Sequence, residues 1–233
     1  MNRFWQIGKN VIVARLAVGA ALWIGASPWL SDTDSPTRLS EMPKAVAFWA
    51  LVALMTIRTL YALRVTATIK KRYTPRDLSQ VLAQIGMLAP LVWAVSPVLD
   101  FAEYLSNVGM LVVGTLCYVA GIWLCYRSHA DLGQGLSPTL DIKVGHRLVT
   151  EGIYGRIRHP MYLGLLLFVL GQAFVVSNFV AGLSGLIGMV LLIVLRVGSL
   201  GVRGSEEQMM LVEFGDEYAA YRERTARLLP GIW

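Results

Sequence analysis

The chain has 233 residues, 55% of them hydrophobic and 15% charged, with a mean hydropathy of +0.56, whereas ordinary soluble domains carry about 25% charged residues. So much apolar surface cannot be hidden by a soluble chain this short, and the composition equally excludes a disordered tract or a fibre. Two cysteines exclude a disulfide framework, and the net charge of +6 is distributed as a membrane topology signal rather than as a nucleic-acid surface.

A spanning helix needs about 20 mostly apolar residues. Six runs meet that need, at roughly 11–30, 44–64, 80–98, 106–127, 161–176 and 179–200. They predict an all-α, polytopic membrane helix bundle of about six transmembrane helices. The first run is long, carries Arg15 and ends in Ser27-Pro28-Trp29 without a small-x-small cleavage site. It is read as a retained helix, not a secretory signal. The last two runs are separated only by Ser177-Asn178, which predicts a tight helical hairpin. Small residues at Ala181, Gly182, Ser184, Gly185 and Gly188 predict close helix packing there.

With the N-terminus in the cytoplasm, residues 31–44, 99–105 and 177–178 face the other side. They hold two basic residues, Arg38 and Lys44, and five acids, Asp32, Asp34, Glu41, Asp100 and Glu103. The remainder then carries 19 basic and 10 acidic residues, so the positive-inside rule predicts cytoplasmic N- and C-termini. Lys70, Lys71, Arg72 and Arg76 form the densest basic cluster, expected to anchor a cytoplasmic loop to anionic headgroups. No nucleic-acid partner is expected. The chain divides into four N-terminal spans, 1–127, and a region 128–233 that holds a loop, the two-span hairpin and a second polar segment.

The loop reads His146-Arg147-Leu148-Val149-Thr150-Glu151-Gly152-Ile153-Tyr154, then Arg158-His159-Pro160-Met161-Tyr162-Leu163-Gly164. Gly152 permits a tight turn before the tyrosine. Pro160 suits the first turn of the following helix and leaves His159 near its cap. His159 and Tyr162, three apart, can face one site, and the free N–H groups of the helix start could receive an anion. Interfacial anchoring alone would use the same residues. The second polar segment opens Arg203-Gly204-Ser205-Glu206-Glu207-Gln208. Ser205 and Gln208 have capping-box spacing, and two acids in a first helical turn suit the dipole, which is sufficient structural reason for them. Gly215 should end that helix, and Asp216 should start another with Tyr218 and Tyr221 on one face.

This ordered series resembles the isoprenylcysteine carboxyl methyltransferase family of integral-membrane methyltransferases. The family pattern is His-x-Leu-Val-Thr-x-Gly-x-Tyr, Arg-His-Pro-x-Tyr-x-Gly, two hydrophobic helices, a Glu-Glu pair, Phe-Gly-x-Glu-Tyr-x-x-Tyr and Leu-Pro. It runs in order over about 146–230, whereas the first hundred-odd residues resemble the family only as membrane helices. The resemblance implies a C-terminal cytoplasmic region binding S-adenosylmethionine outside any Rossmann fold, and no Gly-x-Gly-x-x-Gly turn follows a strand here. Carried over by position, the cofactor residues are His146, Arg147, Leu148, Val149, Tyr154, His159, Pro160, Met161, Tyr162, Glu206 and Glu207. A carboxylate suits the cofactor's amino or ribose hydroxyl groups, and aromatic faces suit its sulfonium.

The family places an acceptor-holding arginine four residues before its cofactor glutamate. Val202 stands four before Glu206, whereas Arg203 stands four before Glu207, so Arg203 is the acceptor clamp only with a one-residue shift of register. Methyl transfer to a carboxylate is an in-line displacement onto a group already ionised at neutral pH, and alignment with desolvation suffices. An amine or thiol acceptor would instead need a base, for which His159 or Glu207 is placed. The first expectation is an isoprenylated cysteine carboxylate. Alternatives are another amphiphile such as a phospholipid amine or small thiol, an NADPH-dependent sterol-type reductase, and a non-catalytic membrane scaffold. No metal site is expected, since Cys117 and Cys125 have no further soft ligand near them. His129 is expected on the surface just past its helix. Arg58 and Arg196 sit inside apolar runs, where charge is either functional or snorkels.

Overall fold

The computed structural model describes residues 38–65, 69–72, 86, 89–90, 92–93, 97–105, 107–135, 141–197 and 206–231. Five α-helices organise them: α1 (Arg38–Arg64), α2 (Val108–Leu132), α3 (Pro160–Val175), α4 (Phe179–Arg196) and α5 (Glu206–Arg224). Asn107 caps α2 by accepting from the Met110 N–H at 2.9 Å, and Asn178 caps α4 by accepting from the Ala181 N–H at 3.0 Å. The α3–α4 connection is the expected tight hairpin, with Ser177 in the left-handed region at φ 51°.

Three described helical stretches, Met42–Arg64, Val108–Gly135 and Phe179–Arg196, are long and apolar enough to cross a membrane. The 16-residue α3 is apolar but shorter. The protein is therefore an integral membrane protein. The predicted span 11–30 lies outside the described residues, and only parts of 80–98 lie within them.

Two features depart from the sequence expectations. The all-α class gains a two-stranded antiparallel ribbon, β1 (Ile69–Arg72) with β2 (Asp141–Lys143). It forms because Ile142 is fully buried against Met209 of α5, and because Lys70 pairs with Glu213 at 2.7 Å. Lys70 thus joins the loop to α5 as well as bearing charge at the surface. The second departure is the length of α2, which continues to Leu132 and so carries His129 inside the helix, buried. The expected surface position is corrected by local bonding. The Ser128 hydroxyl donates to the Leu124 carbonyl at 2.6 Å and His129 Nδ1 donates to the Cys125 carbonyl at 2.6 Å, so these polar side chains are satisfied within the helix.

Close packing joins α2 and α3 along glycines seven apart on each helix. A methyl group on Gly121 would sit 2.6 Å from the Gly164 carbonyl oxygen, and one on Gly171 would sit 2.7 Å from that of Gly114. Cys125 fills the space beside Gly164, where a methyl group would meet its sulfur at 2.9 Å. The predicted small residues of α4 also pack closely: a methyl group on Gly185 would meet Gln172 of α3 at 2.8 Å.

The ends of the bundle differ in chemistry. At one end, Lys44 lies over the Trp93 ring, Trp93 donates to Glu103 at 3.0 Å, and Glu103 bridges to Asn178. At the other end, Gln134 beyond α2 donates to the Arg64 carbonyl at 2.8 Å, and the start of α3 meets α5. The candidate site occupies that second end.

Candidate active site

The His-Pro turn is built by the segment after α5. Ile157 bridges to Ala226 in parallel, the Arg158 N–H donates to the Ala226 carbonyl at 2.8 Å, and the His159 N–H donates to that of Arg227 at 3.1 Å. Arg158 reinforces this joint by donating through Nη1 to the carbonyls of Arg222, at 2.7 Å, and Thr225. Pro160 then opens α3 as expected. His159 stands at the N-cap without a capping bond to its own helix. Its Nε2 instead donates to Glu207 Oε1 at 3.2 Å.

Glu207 is the centre of this joint. Oε1 accepts from Arg158 Nε at 3.0 Å as well as from His159, and Oε2 accepts from Arg227 Nη2 at 3.2 Å. Burial pushes the Glu207 carboxyl up, but the His159 hydrogen bond and charge, with Arg158 and Arg227, outweigh it and hold the group at about 2. It is an ionised, buried carboxylate engaged by three side chains.

Glu206 faces elsewhere. It is half-buried, and its Oε2 accepts from the Tyr162 hydroxyl at 2.9 Å. The His159 and Tyr162 rings lie 5.7 Å apart at a tilt, as their spacing on one helical turn predicts. Tyr154 lies in a short 3-10 turn, Gly152–Gly155, where Asp131 accepts from the Ile153 N–H at 2.8 Å. Gly152 takes φ 60°, and a methyl group there would collide with the Asp131 carboxylate. Tyr154 is buried, its hydroxyl donating to the Ser128 carbonyl at 3.4 Å and its own carbonyl accepting from the Tyr221 hydroxyl at 2.7 Å. Burial raises the phenol of Tyr154 and pushes that of Tyr221 up to about 12, so both remain protonated donors.

His159, Tyr162, Glu206 and Glu207 are thus brought together, with Pro160 and the half-buried Met161 on the same turn. The run His146 to Val149 meets α5 through His146. His146 packs edge-on against Phe214 at 5.7 Å, and burial with the Lys143 charge lowers its pKa while Glu213 opposes the shift. Arg147 is exposed, and Leu148 and Val149 are half-buried. Arg203 lies outside the described residues. Gly215 takes φ 51° and divides α5 as predicted, and Tyr218 and Tyr221 beyond it are buried with rings 5.9 Å apart. Sequence reasoning did not assign Arg158 or Arg227 to the site. Arg158 had a visible signal in its place directly before His159-Pro160, whereas Arg227 had none.

A phospholipid methyltransferase family model matches residues 110–217. The protein-S-isoprenylcysteine O-methyltransferase of Schizosaccharomyces pombe is 32% identical over 122 residues, 52% of this chain and 48% of that protein. Protein-S-isoprenylcysteine O-methyltransferase A of Arabidopsis thaliana is 27% identical over 208 residues, 87% of this chain and 97% of that protein. A solved eukaryotic intramembrane Ras methyltransferase, an isoprenylcysteine carboxyl methyltransferase, aligns over 100% of this chain and 99% of its own at 14% identity, with a TM-score of 0.39. The chain therefore spans about half the length of the S. pombe relative and nearly all of the Arabidopsis one. The apolar helices make the chain an integral membrane protein, and its segment 110–217 is similar to the phospholipid methyltransferase family. Over most of its length the chain is similar to protein-S-isoprenylcysteine O-methyltransferases.

Proposed function

We propose that the chain is a membrane methyltransferase that takes its methyl group from S-adenosylmethionine and passes it to a lipid-like acceptor. The first acceptor is the carboxylate of an isoprenylated cysteine, which the S. pombe and Arabidopsis relatives are named for. The observation that carries the reading is the Tyr162–Glu206 pair, a half-buried carboxylate held by the Tyr162 hydroxyl with the His159 ring beside that of Tyr162, at one end of the apolar bundle. The residues fit the donor. His146 Nδ1 is buried with no hydrogen-bond partner among the described residues, so it offers a site for a polar group.

Glu206 would hold an amino or hydroxyl group, His159 and Tyr162 would flank a sulfonium, and the His146–Val149 run would close the other side. When bound, S-adenosylmethionine supplies a methyl group on a positively charged sulfur. Glu207, held by Arg158, His159 and Arg227, keeps the α3 start and α5 in register, so that Tyr162 and Glu206 stay aligned. Arg203 would clamp the acceptor carboxylate with its planar fork. The acceptor would enter from the bilayer, its reactive group at headgroup depth on the cytoplasmic side.

A second acceptor class, a phospholipid amine, is favoured by the family model that matches residues 110–217. Retention of radiolabelled S-adenosylmethionine by the purified protein tests the donor. Transfer of label to a prenylcysteine acid or to phosphatidylethanolamine then separates the acceptors, and retention of NADPH in place of the methyl donor would overturn the proposal. Glu206→Gln should weaken donor binding roughly ten- to hundred-fold, the worth of a charge-assisted hydrogen bond at about 1.5–3 kcal/mol. Wild-type affinity in that variant would remove Glu206 from the site.

A further inference from the structure

We infer that Asp131 is a positioning residue for the methyl donor; this rests on the donor-site reading above. It fixes the Gly152–Gly155 turn, so that the His146–Val149 run before the turn and His159 after it keep their spacing. Asp131 lies near the end of α2, and its Oδ2 accepts from the Ile153 N–H at 2.8 Å. Arg127, one helical turn back, places Nη2 3.0 Å from Oδ1 and steadies the carboxylate.

Ile153 is held through both its backbone groups. Its carbonyl accepts from the Arg156 N–H at 3.2 Å and the Ile157 N–H at 3.1 Å, and Ile157 bridges to Ala226 just ahead of His159. Asp131 therefore ties α2 to the backbone that delivers His159 to the start of α3. Gly152 is fitted to this bond. Its φ of 60° and missing side chain let the carboxylate approach, whereas a methyl group there would meet Asp131 Oδ2. The other attachments of the turn do not replace Asp131. The Tyr154 hydroxyl reaches the Ser128 carbonyl at a long 3.4 Å, and the Tyr221 bond to the Tyr154 carbonyl, at 2.7 Å, joins the turn to α5 rather than to α2. Without Asp131 the turn is free to follow α5 away from α2, and a displacement of about 1 Å spoils an aligned site.

The test uses the full chain in detergent, read by the dissociation constant for radiolabelled S-adenosylmethionine and by thermal melting. Asp131→Ala should weaken donor binding about tenfold, the scale of a lost hydrogen bond to a charged group. Asp131→Asn keeps an oxygen acceptor for the Ile153 N–H and should stay within about threefold of wild type. Gly152→Ala pushes the same turn off the carboxylate and should also lose about tenfold. The two alanine substitutions together should lose no more than about twofold beyond the larger single loss, because both displace one element. A lowered melting temperature with wild-type donor affinity in Asp131→Ala is the mark of a merely structural bond and overturns the inference. Additive losses in the double variant overturn it too, as does a loss in Asp131→Asn equal to that in Asp131→Ala. Should Asp131→Ala fail to fold, Gly152→Ala decides, and wild-type donor affinity there overturns the inference. Folded wild type that retains no donor defeats the donor-site reading together with the inference. Wild type that retains the donor while Asp131→Ala binds it equally well defeats the inference alone.

Discussion

Glu206 and Glu207 are sequence neighbours, yet a helix turns about 100° between successive residues, and that rotation gives them different partners. Glu207 meets Arg158, His159 and Arg227, while Glu206 meets Tyr162. Because the folded value of Glu207, about 2, lies below its ordinary 4.5, its stabilisation is fully present above about 4.5 and is lost as the pH falls towards 2. Glu207→Gln removes the countercharge from two buried or half-buried arginines and should cost about 3–5 kcal/mol. Thermal unfolding in detergent should show a lowered melting temperature at neutral pH. It should also show a shallower decline between pH 4.5 and 2 than the wild type gives. An acid limb identical in the two proteins would contradict this account.

At the scale of elements, the glycines of α2 and α3 set how closely the bundle can close around the site. Gly121→Leu puts a large side chain where even a methyl group would lie 2.6 Å from the Gly164 carbonyl oxygen. Backbone cannot yield as a side chain can, so the variant should lose at least the 1–3 kcal/mol typical of overpacking, roughly, and melt earlier. Gly182→Ala, 3.1 Å from the Ala173 Cα, should be milder. If Gly121→Leu melts as the wild type does, the α2–α3 seam does not limit stability. This seam was hidden in the sequence because its members lie on two separate runs, whereas Gly182, Gly185 and Gly188 lie within one. Among the described residues, the helical runs at 44–64, 106–127, 161–176 and 179–200 were legible from apolar length. The end of α2 was not, because Ser128 and His129 look like loop residues until their bonds to the Leu124 and Cys125 carbonyls are seen. The ribbon was hidden for a similar reason, since Ile69–Arg72 is mostly cationic and its pairing with Asp141–Lys143 spans a long loop. His159, Tyr162, Glu206 and Glu207 were legible as motif residues, but their division of labour depends on Arg158 and Arg227, which no local pattern links to them.

For the whole molecule, the cluster of Lys44, Trp93, Glu103 and Asn178 at one end and the candidate site at the other fit the charge asymmetry of the sequence. Reporter fusions at residue 38 and after residue 231 should report opposite sides of the membrane, with the latter cytoplasmic. Both reporters on one side would contradict that orientation. The joint between residues 157–159 and 225–227 also orders the protein's biogenesis. The backbone carbonyls that hold His159 belong to residues translated after α1 to α4, so the polar turn before α3 is made before its partners exist. Until Ala226 and Arg227 arrive, the Arg158 and His159 amides must be served by water or headgroups. Synthesis of the helices and acquisition of the site are therefore separate events, and a nascent chain halted after α4 would be a membrane protein without a working end.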